Sequence, residues 1–93
     1  MSVVILGGNE CMVRQYKQLC QDYHCTAKVI PKMGGTLKNR LGSPDLLVLF
    51  TDTISHKMVR CALRETKGLP TVVARSHSSS IAGLRAVLET HAV

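Results

Sequence analysis

The stretch Leu46-Leu47-Val48-Leu49-Phe50, followed at once by Thr51-Asp52-Thr53-Ile54-Ser55-His56-Lys57, decides how this chain folds. Five consecutive apolar residues with polar residues after them are typical of a strand buried on both faces of a sheet. The polar turn then leads into an amphipathic segment, which predicts a helix over about residues 54–66. A second apolar run, residues 71–74, is followed by Arg75-Ser76-His77-Ser78-Ser79-Ser80, so two predicted strands each end in a turn that contains Ser-His.

The rest of the chain alternates between short strands and helices. Two more strands are predicted at residues 2–6 and 25–30, and further helices at residues 9–23, 37–41 and 79–91. Alternation with short connections implies a parallel sheet with right-handed crossovers and helices on both faces. We therefore predict one α/β domain over residues 1–93, a small doubly wound Rossmann-like or flavodoxin-like sheet of four strands in the order 2-1-3-4.

Length and composition restrict the class of protein. A chain of 93 residues with 45% hydrophobic content can form one small core. Such a domain is marginally stable, so we expect it to associate with a copy of itself. Residues 1–6 lack the basic lead and cleavage site of a signal peptide, and no apolar run approaches the roughly 20 residues of a membrane span. A cytoplasmic location without a membrane partner is the resulting expectation.

The charge of the chain favours an anionic partner. The net charge is +6, from 12 basic and 6 acidic residues that are spread evenly along the sequence. Tyr16, Tyr23 and Phe50 are the only aromatic residues that could stack on bases, and no nucleic-acid-binding motif is present. A dimer that binds nucleic acid therefore ranks below two other interpretations, a solvated basic surface and a site for an anionic small molecule.

The four cysteines are Cys11, Cys20, Cys25 and Cys61, and none of them forms a C-x-x-C pair. The common zinc-ribbon and thioredoxin-like patterns are therefore missing. In a cytoplasmic chain we expect all four thiols to stay reduced. Cys20 falls on the apolar stripe of the first helix, which predicts a position in the core.

Polar residues gather where the predicted strands end. Ligands of open α/β sheets bind at this carboxyl edge, beside the point where the strand order reverses. The turns that meet there contain Gly7-Gly8-Asn9, Pro31-Lys32-Met33, residues 51–57 and residues 75–80.

The glycine pair and the serine run each allow two interpretations. Gly7-Gly8 either lets the backbone approach a phosphate or simply forms a tight turn. The sequence around the pair does not match G-x-G-x-x-G, the motif of dinucleotide-binding sites. Arg75 with the hydroxyls of Ser78, Ser79 and Ser80 suits a phosphate or carboxylate, but serine is also a preferred helix N-cap.

His56 is the best candidate for iron or acid–base chemistry. It lies in the first turn of its helix, and a neutral imidazole is a common metal ligand. Cys61 follows five residues later, about 7.5 Å along the helix axis. The His56 and Cys61 side chains therefore cannot both bind one small metal ion. A larger cofactor or a partner subunit could contact both side chains. Haem iron accepts His and Cys as ligands. His56 could instead be a capping residue, and Asp52 with His56 and Ser55 is too weak a pattern to predict an enzyme.

Five segments together resemble the bacterial family of domain of unknown function 2325, and the resemblance covers nearly the whole chain. They are Val4-Ile5-Leu6-Gly7-Gly8, Tyr16-Lys17, Pro44-Asp45-Leu46-Leu47-Val48, Ser55-His56-Lys57-Met58 and Arg75-Ser76-His77-Ser78-Ser79. The resemblance implies a small Rossmann-like fold from anaerobic or facultative bacteria, and haem binding through a Cys and a His in a sensing role. By the same resemblance His56 is the first candidate iron ligand.

The chain also departs from the family pattern. Relatives carry His where this chain has Asn9, and a Cys later in the third helix than Cys61, which leaves Cys61 or Cys11 as the thiolate candidate. We therefore expect a homo-oligomeric haem sensor or carrier with His56 and a cysteine on iron. The alternative is a regulatory module that binds a phosphorylated or carboxylated small molecule in the same crevice. The residues expected to line the cofactor site are Gly7, Gly8, Asn9, Ser55, Arg75, Ser76, His77, Ser78 and Ser79.

Overall fold

The computed structural model describes residues 1–30, 42 and 44–91. The predicted helix at residues 37–41 and the predicted turn Pro31-Lys32-Met33 lie outside this part of the chain. The described elements are strands β1 (Ser2–Leu6), β2 (Thr26–Ile30), β3 (Leu46–Phe50) and β4 (Val72–Ser76), a 3-10 turn (Glu10–Met12), and helices α1 (Val13–Asp22), α2 (His56–Thr66) and α3 (Ile81–His91).

The four strands form a parallel sheet in the order β2-β1-β3-β4, so the predicted fold class and strand order are confirmed. The apolar run that forms β3 lies between β1 and β4, and all five of its side chains are buried. A strand with neighbours on both edges and helices on both faces has no solvent-exposed side, which explains its unbroken hydrophobicity.

Helices cover both faces of the sheet. On one face, α1 and α3 bury Tyr16, Cys20 and Leu84 against the strands. On the other face, α2 buries Met58 and Ala62. The prediction that Cys20 belongs to the core is confirmed, since its side chain is fully buried.

Three predicted boundaries were wrong by two residues. The fourth strand continues to Ser76, because β3 pairs with β4 residue for residue from Leu46–Val72 to Phe50–Ser76. Arg75 and Ser76 therefore lie in a strand and not in a turn. Helix α2 begins at His56 with Ser55 as its N-cap, and α3 begins at Ile81.

The segment predicted as a helix over residues 9–23 begins with a 3-10 turn and continues as α1. Asn9 caps a 3-10 turn, and its side-chain oxygen accepts a hydrogen bond from the Cys11 backbone N–H at 2.9 Å. This satisfies one of the N–H groups that a helix start leaves without an intrahelical acceptor. Among the described residues, no helix has the length and apolar character needed to cross a bilayer.

Candidate functional site

Hydrogen bonds tie together three of the turns at the carboxyl edge of the sheet. The Gly8 backbone N–H after β1 donates to Thr53 Oγ1 after β3 at 2.7 Å. The buried Tyr16 hydroxyl accepts from the Asn9 backbone N–H at 3.2 Å and donates to the Ser79 carbonyl at 2.5 Å. These links hold the turns after β1, β3 and β4 in a fixed relation, as a preorganised site requires.

The glycine pair is required by packing within this edge. Gly7 and Gly8 have φ values of 91° and 90°, which residues with a side chain rarely adopt. A Cβ at Gly7 would lie 2.5 Å from Ile54 Cγ2, and one at Gly8 would lie 2.8 Å from Tyr16 Cε2. Because the Gly8 N–H is also used by Thr53, these contacts favour the tight-turn interpretation of the pair over the phosphate loop.

The serine run is engaged in local hydrogen bonds. The Ser78 hydroxyl donates to Ser80 Oγ at 2.8 Å, and Ser80 Oγ accepts from the Gly83 backbone N–H at 3.1 Å. Ser79 donates from both its backbone N–H and its hydroxyl to Asp52 Oδ2. The donors that were expected to hold an external anion therefore cap α3 and bind a carboxylate of the chain itself.

The two histidines of the Ser-His turns come together on the α2 side of the sheet. They line one cavity of about 270 Å³ at the ends of β3 and β4, which we call the edge pocket. Thr51 Oγ1 lies 3.1 Å from His77 Nδ1 and so orients that ring. The residues that line the edge pocket are Thr51, Ile54, His56, Val59, Arg75 and His77.

His56 also lines a second and larger cavity, of about 510 Å³, along α2. We call it the α2 cavity. Cys61 shares this cavity and is half-buried, so the structure brings the predicted His–Cys pair to one surface. Three cations, Lys57, Arg60 and Arg64, complete its described lining.

The other cysteines do not share a cavity with His56. Cys11 is exposed and lines a groove along α1, which packs on the opposite face of the sheet. Cys20 and Cys25 are buried. Burial, with a smaller contribution from the neighbouring Cys25, raises the pKa of the Cys20 thiol to about 11. A buried thiol of raised pKa is a poor nucleophile and a poor metal ligand.

Arg60 and Arg64 were not anticipated as residues that line these cavities. Lys57, Arg60 and Arg64 recur at helical spacing and so share the outer face of α2, a signal that charge periodicity along that helix would have provided. Thr51 was expected at this edge, but its contact with His77 depends on the pairing of β3 with β4 and leaves no sequence signal. Among the described residues, no group of three or more His, Cys, Asp or Glu side chains could hold a metal ion on its own.

Comparison with known proteins identifies the family. Neither the curated proteins nor the solved structures contain a match to this chain. The family described as "Uncharacterized protein conserved in bacteria (DUF2325)" matches residues 2–91. The chain therefore belongs to the DUF2325 family of bacterial proteins.

Proposed function

We propose that this protein binds haem in the α2 cavity and acts as a haem sensor or carrier, with His56 as an iron ligand. The observation that carries the proposal is that His56 and Cys61 line one cavity together with three cations. Imidazole and thiolate are both established protein ligands of haem iron. The two haem propionates are carboxylates, for which arginine and lysine are the usual partners.

The donor set and the size of the cavity fit this ligand. A volume of about 510 Å³ falls inside the range of roughly 300–1,000 Å³ that is typical of cofactor sites. The cations at positions 57, 60 and 64 lie on the same helix face as the two candidate ligands. Arg60 and Arg64 would hold the propionates, and His56 would be held at its position by the Ser55-capped first turn of α2.

The haem and the side chains of His56 and Cys61 would have different roles. Bound haem would supply an iron atom that can change its redox state or bind a small gas molecule. His56 and Cys61 belong to one helix and approach the α2 cavity from the same side. Either side chain could hold the iron, and a second copy of the chain could supply a further ligand at this exposed surface. The proposed state is therefore a homo-oligomer.

The test is a titration of the purified protein with haemin, followed by the Soret absorption. We expect saturable binding in the wild type and loss or marked weakening of the Soret change in His56→Ala. The matched control is His91→Ala, because His91 is exposed at the end of α3 and lies outside the α2 cavity. Absence of haemin binding to the wild type, or equal spectra for the wild type and His56→Ala, would contradict the proposal.

A further inference from the structure

We propose that the edge pocket is a second binding site, specific for a small oxyanion of the phosphate class, and that Arg75 and His77 hold this anion. The inference does not depend on haem binding, since neither residue lines the α2 cavity. It also differs from the sequence-based expectation of an anion at the serine run, whose donors are engaged elsewhere.

Arg75 is positioned for this role by the sheet. It pairs with Leu49 in the β3–β4 register, near the carboxyl end of both strands. Alternation along a strand places it on the same face as Val73, which packs against the α2 side of the core. Arg75 is exposed and makes no ion pair with any residue in the described part of the chain. Its guanidinium therefore offers an uncommitted fork of donors that matches an oxyanion.

Thr51 holds the imidazole of His77 at the wall of the edge pocket. The Ser76 carbonyl already accepts the Thr51 backbone N–H at 2.9 Å. The Thr51 hydroxyl donates to the same carbonyl at 3.3 Å and lies 3.1 Å from His77 Nδ1, so the contact holds the imidazole at the pocket wall. A histidine ring held in this way can donate an N–H to an anion.

The chemistry and size of the edge pocket select the ligand class. Arg75, His56 and His77 provide its charged or titratable lining, and the described residues contribute no carboxylate to it. A guanidinium beside two imidazoles disfavours a metal cation and favours an anion. Ile54 and Val59 form apolar parts of the wall, which lower the local dielectric and strengthen the attraction. A cavity of about 270 Å³ is below the roughly 300–1,000 Å³ of sites for larger ligands.

The experiment is a calorimetric titration of the full chain, without haem, with inorganic phosphate at constant ionic strength set by chloride. We expect saturable binding to the wild type, weakened at least about tenfold in Arg75→Ala, since a charge-assisted bidentate contact is lost. His77→Ala should weaken binding as well. The matched control is Arg14→Ala, which removes an exposed arginine of α1 on the other face of the sheet and should leave phosphate binding unchanged.

The outcomes separate this site from a general effect of basic charge. No phosphate binding by the wild type would overturn the proposal, and so would equal affinity of Arg75→Ala and the wild type. Equal weakening in Arg14→Ala and Arg75→Ala would assign the effect to overall charge and would also overturn it. Haemin is absent from this titration, so a failure to bind phosphate does not bear on the haem proposal. A failure to bind haemin likewise does not bear on the proposed phosphate site.

Discussion

Asp52 and Ser79 are joined by two hydrogen bonds, in which the Asp52 Oδ2 atom accepts from the Ser79 backbone N–H at 3.2 Å and from its hydroxyl at 3.1 Å. Asp52 follows β3, and Ser79 precedes α3. The start of α3, which favours negative charge, thus already has a carboxylate from the chain itself. Both proposed sites lie beside α2, and neither uses the start of α3.

Tyr16 is predicted to hold the carboxyl edge together through its hydroxyl. Tyr16→Phe leaves the Asn9 N–H and the Ser79 carbonyl without their partner, which should lower the free energy of unfolding by about 1–3 kcal/mol. The control is Tyr23→Phe, since the Tyr23 hydroxyl contacts Glu89 at an exposed position. Urea denaturation of both variants provides the measurement. Equal stability of the two variants would show that the Tyr16 hydroxyl contributes nothing to this edge.

A comparison of Gly7 with Gly68 separates the effect of side-chain packing from the effect of backbone conformation. Gly7 and Gly68 have similar φ values, of 91° and 84°. A Cβ at Gly7 would collide with Ile54, whereas a Cβ at Gly68 would meet no atom of the described residues within 4 Å. Gly68→Ala should therefore cost only the strain of the left-handed backbone, about 1–2 kcal/mol, and Gly7→Ala clearly more. Thermal or urea unfolding measures both, and a Gly7→Ala variant no less stable than Gly68→Ala would be inconsistent with the packing described.

The thiols are predicted to differ in reactivity and in their effect on stability. Burial raises the pKa of the Cys20 thiol from 9.0 to about 11, so the folded protein holds this proton more tightly than the unfolded chain. The stabilisation is complete below pH 9.0 and is lost as the pH rises to about 11. Unfolding measured across this range should show a smaller decline in Cys20→Ala than in the wild type.

Labelling of the thiols in the native protein tests independently which cysteines are exposed and which are buried. A thiol reagent at pH 8 should modify the exposed Cys11 and the half-buried Cys61 quickly, and the buried Cys20 and Cys25 only on unfolding. Mass spectrometry of the labelled peptides identifies the sites. Rapid labelling of Cys20 would contradict its place in the core.

The cavities favour Cys61 over Cys11 as the thiolate ligand of the proposed haem site. Cys61 shares the α2 cavity with His56, whereas Cys11 lines a groove beside α1. Cys61→Ser should therefore shift the Soret band of the haemin complex and remove the spectral signature of thiolate ligation, while Cys11→Ser should not. The opposite pattern would assign the thiolate to Cys11 and would reject the assignment made from the cavities.

The fold was predictable because its main determinants are local. The run from Leu46 to Phe50 is typical of a strand covered on both faces, and Ser55 marks the start of α2 by its capping side chain. The meeting of His56 and His77 also followed from topology, since adjacent parallel strands end at one edge.

The remaining features of the site depend on tertiary pairing. The position of Arg75 within β4 is fixed by hydrogen bonding to β3, and the residue type gives no sign of it. The serine run matched an anion site and a helix cap equally well, and only the contact between Ser79 and Asp52 distinguishes the two. Such contacts join residues 27 positions apart and have no local signature.

The most direct test of the haem proposal is nuclear magnetic resonance of the uniformly ¹⁵N-labelled protein during titration with paramagnetic ferric haemin. The iron broadens nearby amide signals, so the broadening maps its location. The account predicts that signals of residues 55–61 in the first turns of α2 broaden first, and that those of residues 13–22 in α1 stay sharp. Broadening centred on α1, or spectra that do not change with haemin, would contradict it.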